Sequence, residues 1–528
     1  MNYIYKWVIL AWVSMVLVSC KHDSTTYNVF KYNQNNNINS LDPAFAKSQN
    51  NIWPVHHLFD GLVQLDDSLH VVPCIAKSWE VIGDTSYTFH LRRDVFFHDD
   101  PCFPSHTGRR LMAQDVVYSL TRLVDPKVHS TGSWIFGDHL SKLPFQAPND
   151  STFVINLNRA YSPLLSILTM QYCSILPREA VEFYGSEFSR HPVGTGPFKF
   201  KRWEDNEALY LVRNSKYFDQ ISTNLDGIKT SFIPDRKVAY LEVLNGNIDF
   251  VSGLESDFVL EWVDSTGRVK DEYKNRIKFY KSPYLNTEYI GINTEASDCS
   301  PWLKIKEFRQ ALNYSIDKRE MLGLLRNGIG KPATNGIIPP GLPGYNNVGT
   351  AYQFNSSAAK SLLQSINFQE NKDSPLILYT NQDYLDICTY VVKQWEKIGI
   401  TAEINLLETS ILRSKMRNGE IALFRASWIA DYPDAESFLC MFYSKNPAPP
   451  NYTRYKNPEY DELYQSILVN TDEVSRIREY QKMDKILIND APVIFLFYDE
   501  TALFTTTDIQ GVSNNALNLL EVKNLVKR

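Results

Sequence analysis

The sequence predicts an α/β protein with two separated α/β regions and a strand-rich insertion. Three observations predict it. A strand–helix–strand order runs from Ile228 to Val251: a strand at Ile228–Ile233, a helix over Val238–Leu244 capped by Asp235, a stop at Asn245-Gly246-Asn247, then a strand at Ile248–Val251. The same order returns between Leu376 and Leu406, where Tyr384, Ile387, Cys388, Val391, Val392, Trp395 and Ile398 form one helical stripe that stops at Gly399. From Trp79 to Phe97 the apolar residues alternate with period two, as half-buried strands require.

Bulk properties narrow the function classes. The chain has 528 residues, too many for one ordinary core. Net charge is −6 with both signs mixed throughout, so the clustered basic face of a nucleic-acid binder is missing. Aromatics reach 13%, which suits a cavity lined with rings and equally a wet, Tyr-rich core. At the N-terminus Lys6 precedes an apolar run, Trp7–Val18, too short to span a bilayer. Leu17-Val18-Ser19-Cys20 follows, then polar Lys21–Thr26, which together read as an export signal. Cys20 behind a small residue resembles a bacterial lipobox. That resemblance implies cleavage before Cys20 and lipidation of its thiol; an ordinary signal peptide or an uncleaved anchor are the alternatives. No later segment is apolar enough to cross a membrane. Six further cysteines, at 74, 102, 173, 299, 388 and 440, allow 15 pairings but form no Cys-x-x-Cys.

The remaining elements follow in order. Tyr27–Tyr32 has strand composition and leads into an Asn-rich, Pro-terminated loop through Asn37-Ile38-Asn39 to Pro43. A helix is expected over Ile52–Phe59 and a hairpin around Gly83-Asp84. Ala113–Val124 is helical by spacing, Phe153–Leu157 a strand, and Ser162–Met170 an apolar helix. Pro192–Pro197, with Gly194 and Gly196, is dense in backbone punctuation and reads as a crossing and a candidate hinge. Tyr289–Asn293 is a strand, residues 477–487 belong to a last helix, and Val493–Tyr498 is a strand.

Catalytic and metal signatures are missing: no Gly-x-Ser-x-Gly, His-Glu-x-x-His, P-loop or Gly-x-Gly-x-x-Gly occurs. His98 with Asp99 and Asp100 could bind a metal, but no second cluster lies nearby in sequence. The candidate site is instead the strand Ile421–Trp428 with its tip, Arg425-Ala426-Ser427-Trp428-Ile429-Ala430-Asp431. An indole wall, a terminal carboxylate and a strand edge suit an extended guest chain. On these residues alone a simpler account holds, in which Asp431 or Asp434 caps a helix starting near Ala435.

An ordered set of motifs carries a resemblance. It comprises Ser40–Pro43, Leu58-Phe59-Asp60-Gly61-Leu62-Val63, Ala76–Trp79, Tyr87–Arg92, Val95–Asp99, Asp115–Leu120, Val193–Phe198, Gly291-Ile292-Asn293, Arg309–Leu312, Ile316–Arg319 and Pro339–Gly341. With these the chain resembles the oligopeptide- and dipeptide-binding proteins of ABC importers, solute-binding protein family 5, from about residue 30 to 500. The resemblance implies a two-lobed, periplasmic-binding-protein-like fold of type II with an extra strand-rich domain. Its parts would be a signal peptide at 1–19, a lipidated tether at 20–27, a first lobe from 28–49, 194–287 and 499–528, the insertion at 50–193, and a second lobe at 288–498. It places His98 at a shared strand end, and leaves an extra loop at 100–110.

The resemblance also implies that an extended peptide lies between Asn37-Ile38-Asn39 and Arg425–Asp431, its ammonium on Asp431. Trp428 and Ser427 would line it, and backbone groups of Trp428 and of the 37–39 segment would bond its main chain. Arg425 would reach either a ligand carboxylate or a protein acid. Ile429 and Asn37 depart from relatives that carry a Cys and an acid at these places. Lobe closure would hinge near Gly194, Gly196 and Tyr289. The expected protein is a monomeric, non-enzymatic, cofactor-free and metal-free receptor, exported and held by Cys20 at a membrane facing the periplasm. Its partners would be a short peptide and an ABC permease, not nucleic acid. A metal chelate, haem, an oligosaccharide or an opine is the alternative cargo, and a secreted hydrolase the alternative class.

Overall fold

The computed structural model describes residues 27–219, 223–253, 261–264, 267–347, 351–369 and 373–528. The export signal and Cys20 lie outside them. Among the described residues the spine is an 11-stranded mixed sheet. Its order is Ala402–Leu406, Leu376–Thr380, Leu423–Ile429, Ile277–Ile292, Val493–Thr506, Phe250–Ser252, Val29–Asn33, Gly227–Ser231, Ala208–Arg213 and Phe198–Glu204, with Lys331–Pro332 beside Val493–Thr506. The two central strands, 16 and 14 residues long, run antiparallel and span about 50 Å. Such a length serves two bodies. One end pairs with first-lobe strands and the other with second-lobe strands. Their register breaks between Pro283 and Thr287 and again between Glu288 and Tyr289. Proline cannot donate to the ladder, so the sheet bends at this point. The fold is two-lobed.

Alternation along the central strands distributes the second-lobe core. Tyr289, Phe424, Ala426, Val493 and Phe495 enter a cluster on one face of the sheet. Ile290, Ile292, Leu423, Ile494 and Leu496 enter another with Trp395 and Leu378 on the opposite face. The first lobe and the insertion share one continuous core, including Tyr32, Trp53, Phe89, Phe153, Phe198 and Leu211.

The insertion carries a four-stranded antiparallel sheet in the order Ala76–Ile82, Ser86–Leu91, Thr152–Leu157, Leu140–Asn149. Gly83 and Asp84 both take positive φ, at 59° and 57°, and with Thr85 close the expected hairpin in a three-residue connection between Ile82 and Ser86. The helix Ala113–Val124 starts where Asp115 accepts a bond from the Met112 backbone N–H at 2.8 Å. Asp235 caps Arg236–Leu244 by accepting from the backbone N–H of Lys237 and Val238.

Two expectations change. The apolar run 162–170 forms only a short helix, Leu164–Ile167, because the Thr169 and Met170 N–H groups turn to the carbonyls three residues back, Ser166 O and Ile167 O, and tighten the chain out of the α-helix. The six described cysteines are all unpaired. Gly194 and Gly196 are not where the chain crosses between lobes. They lie against the 57–58 backbone, where an added Cβ would come within 2.1 Å of the Leu58 carbonyl oxygen at Gly194 and 2.5 Å of the Leu58 carbonyl carbon at Gly196. His98, buried, closes this seam: its backbone N–H donates to Gly194 O at 2.8 Å and its Nε2 lies 3.0 Å from Gly196 O. Close approach explains these glycines; the crossing belongs to Ile277–Ile292 and Val493–Thr506.

Candidate functional site

The candidate strand is Leu423–Ile429. Gly419, at φ 75°, ends the preceding helix Thr409–Asn418 and turns the chain into it. On one side it pairs with Ile277–Ile292 along its whole length. On the other it meets Leu376–Thr380 only through Leu423 and Phe424. The edge beyond Phe424 is therefore unpaired by any strand among the described residues. Parity settles which groups lie there. Asn293 N–H donates to Ala422 O and Ala430 N–H donates to Leu285 O, so the even-numbered residues 422–430 bond toward the central strand. Ser427 and Ile429 point their backbone N–H and C=O to the free edge. This corrects the expectation that Trp428 offers its main chain to a guest: its main chain is committed to Thr287.

Trp428 is held as a wall. Its indole N–H donates to Ser437 O at 2.6 Å, and the ring packs on the second-lobe core. Ser437 Oγ accepts the Asp431 backbone N–H at 3.1 Å and so fixes the strand's exit. Asp434 holds the turn that enters the helix Glu436–Leu439: it accepts the Glu436 N–H at 2.9 Å and the Tyr480 hydroxyl at 2.7 Å, with Arg476 at 3.2 Å. Asp431 is left over. Its carboxylate is solvent-accessible and has no hydrogen bond or ion pair among the described residues. Surrounding protein still pushes its carboxyl up to about 6 through desolvation, with Lys47 of the first lobe opposing. The carboxylate is thus exposed to solvent yet set among protein groups that disfavour its charge. The Tyr172 hydroxyl, from the insertion, is raised by burial first and by Asp431 as well.

Behind Asp431 lies a buried carboxyl, Glu436, which accepts the hydroxyls of Tyr432 and Tyr464. Burial pushes it up to about 7. Tyr432 packs into the first-lobe core, so the lobes touch here. Arg425 is buried and pairs with Glu288, across the ladder, while its guanidinium lies over the Tyr384 ring. Of its two expected partners the structure gives the protein acid. Asn37, Ile38 and Asn39 stand on the first lobe. Asn37 Nδ2 donates to Asn206 Oδ1 at 2.6 Å, Asn51 Nδ2 donates to Asn39 Oδ1 at 2.6 Å, and Ile38 is buried. No hydrogen bond joins this segment to 425–431 among the described residues. The first-lobe and insertion groups that act on Asp431 electrostatically, or are acted on by it, are Lys47 and Tyr172.

Sequence reasoning missed Lys47, Tyr172, Ser437 and Glu288. Only Glu288 carried a signal, a lone acid in the run Tyr289-Ile290-Gly291-Ile292 and its preceding Thr287. Among the described residues no group of three or more His, Cys, Asp or Glu is placed to hold a metal ion, and no helix is long and apolar enough to cross a membrane.

Comparison with known proteins completes the picture. The model of the family described as bacterial extracellular solute-binding proteins, family 5 middle, matches residues 70–450. The chain is 28% identical over 448 residues to heme-binding protein A of Haemophilus influenzae, covering 81% of this chain and 79% of that protein. It is 26% identical over 520 residues to the periplasmic oligopeptide-binding protein OppA of Salmonella typhimurium, covering 93% and 91%. The solved structure of HbpA2 from Haemophilus parasuis has the same fold, with a TM-score of 0.83 at 23% identity over 95% of this chain and 100% of that one. A family match over most of the chain, on a two-lobed frame with an open strand edge in its cleft, identifies it: the chain belongs to the bacterial extracellular solute-binding proteins of family 5.

Proposed function

We propose that the protein captures short peptides between its lobes and delivers them to the permease of an ABC importer. It works as an exported monomer held at the membrane by a lipid on Cys20. One observation carries the reading. Asp431, an accessible carboxylate without a partner among the described residues, stands at the end of the free edge formed by Ser427 and Ile429. The edge supplies main-chain bonds that ignore side chains, and the carboxylate supplies a place for the guest's ammonium. The peptide names of several relatives support this reading, and the name of heme-binding protein A favours haem as the second one.

The test is to express residues 21–528, purify them without denaturation and identify co-purified small molecules by mass spectrometry. Short peptides are the expected result. A porphyrin, a sugar or a metal complex with no peptide would overturn it. For the anchor, the full chain is expected in the detergent phase on phase partition and Cys20→Ser in the aqueous phase; equal partition of both sinks the lipidation.

A further inference from the structure

Cross-strand pairing puts Arg425, Ser427 and Ile429 opposite Ile290, Glu288 and Asn286, all on one face of the second-lobe sheet. Deep in the lobe that face is the apolar cluster around Ile290. Toward the cleft it becomes polar. Arg425 pairs with Glu288, Arg326 pairs with Asp499, and Asn286 Nδ2 donates to Glu288 Oε1 at 3.1 Å. Two arginines and two acids leave no net charge. Two polar atoms here are buried with no hydrogen-bond partner among the described residues: Arg425 Nε and Asn286 Oδ1. Their residues are 9% and 4% exposed. They are one donor and one acceptor, and buried groups of this kind are costly to leave unmade. Their place is specific. The parallel strand stops pairing at Tyr379 and Phe424, so Asn381 and Tyr384 lie just past the point where the free edge begins. A guest pairing with Ile429 and Ser427 runs into them.

We propose that this cluster is a ligand subsite for a neutral polar group carrying both N–H and C=O, a carboxamide or a backbone amide, and that Glu288 makes it reject a carboxylate. The inference rests on the peptide reading above. An unpaired arginine would grip a carboxylate with two parallel bonds. Here Glu288 already occupies the guanidinium, and a second carboxylate would lie against Glu288 and Asp499 and be repelled. An amide fits what is left: its C=O accepts from Arg425 Nε–H and its N–H donates to Asn286 Oδ1. A peptide whose free C-terminus falls at this depth is therefore disfavoured against one that continues or ends in an amide.

The test uses alanine peptides of three to six residues, each as free acid and as C-terminal amide, titrated against the protein after its co-purified ligand is removed. At the length that reaches the subsite, the amide is expected to bind at least tenfold more tightly than the acid. In Glu288→Gln that preference falls to threefold or less through a gain in acid affinity. Because Glu288 is buried, Asn286→Ala serves as a second variant: amide affinity falls and acid affinity holds. Equal binding of acid and amide at every length, a preference for acids in the natural protein, or an unaltered preference in both variants would overturn the subsite. No binding of any peptide by the natural protein overturns the peptide reading itself, a different failure from loss of the amide preference.

Discussion

A carboxylate without a partner is a burden to the folded chain and an asset to a receptor, and Asp431 is such a group. Burial pushes its carboxyl from the ordinary 3.8 up to about 6. Its folded pKa exceeds its unfolded one, so the folded state holds the proton more tightly, and this group's contribution to stability falls as pH rises from about 4 to about 6. A guest ammonium favours the ionised form, so binding near or below pH 6 releases a proton. Peptide affinity is expected to be flat above pH 7 and to weaken about tenfold per unit below about 6. Asp431→Asn should remove that slope and cost about 2–5 kcal/mol of peptide affinity, because the guest charge is left unpaired. Calorimetry in buffers of different ionisation enthalpy reads both; unchanged affinity in the variant would falsify the anchor. Asp431 and Trp428 were legible in the sequence because a motif carries them. Lys47 and Tyr172 were not, since they reach the cleft through the folding of other elements.

At the scale of elements, local pattern found most strands and helices, and tertiary contact decided the rest. The hairpin at Gly83-Asp84 and the helix Ala113–Val124 follow from alternation and capping that the residues carry themselves. The parity of Leu423–Ile429 does not. A strand's own residues leave open which of its two edges meets a neighbour, and the pairing with Ile277–Ile292 is what sends Ser427 and Ile429 outward. Gly194 shows the same limit: glycine marks both hinges and close approaches, and only the Leu58 carbonyl, 2.1 Å from where a Cβ would stand, distinguishes them. The two roles predict opposite results for Gly194→Ala. Close packing against backbone predicts a loss of about 1–3 kcal/mol in denaturant unfolding with ligand affinity kept. A hinge would give altered affinity at unchanged stability.

For the whole molecule, closure depends on what joins the lobes besides the two long strands. The insertion reaches across to the second lobe at Ser162. Ser162 N–H donates to Leu468 O at 2.9 Å and Ser162 Oγ donates to Asn470 O at 2.6 Å, at the end of helix Pro458–Val469. Tyr432, beside Asp431, packs into the first-lobe core near Tyr161. The contact therefore adjoins the cleft and closes over the same residues that would hold a guest's ammonium. Each lobe keeps its own core, so loosening the contact should leave folding alone and change the balance between open and closed forms. Ser162→Ala removes one bond of the pair, worth about 0.5–1.5 kcal/mol. The expected outcome is a few-fold faster release of bound peptide and a larger radius of gyration by small-angle scattering, at an unchanged denaturation midpoint. If release and scattering match the natural protein, the insertion does not hold the lobes together, and closure rests on the ligand and the paired strands alone.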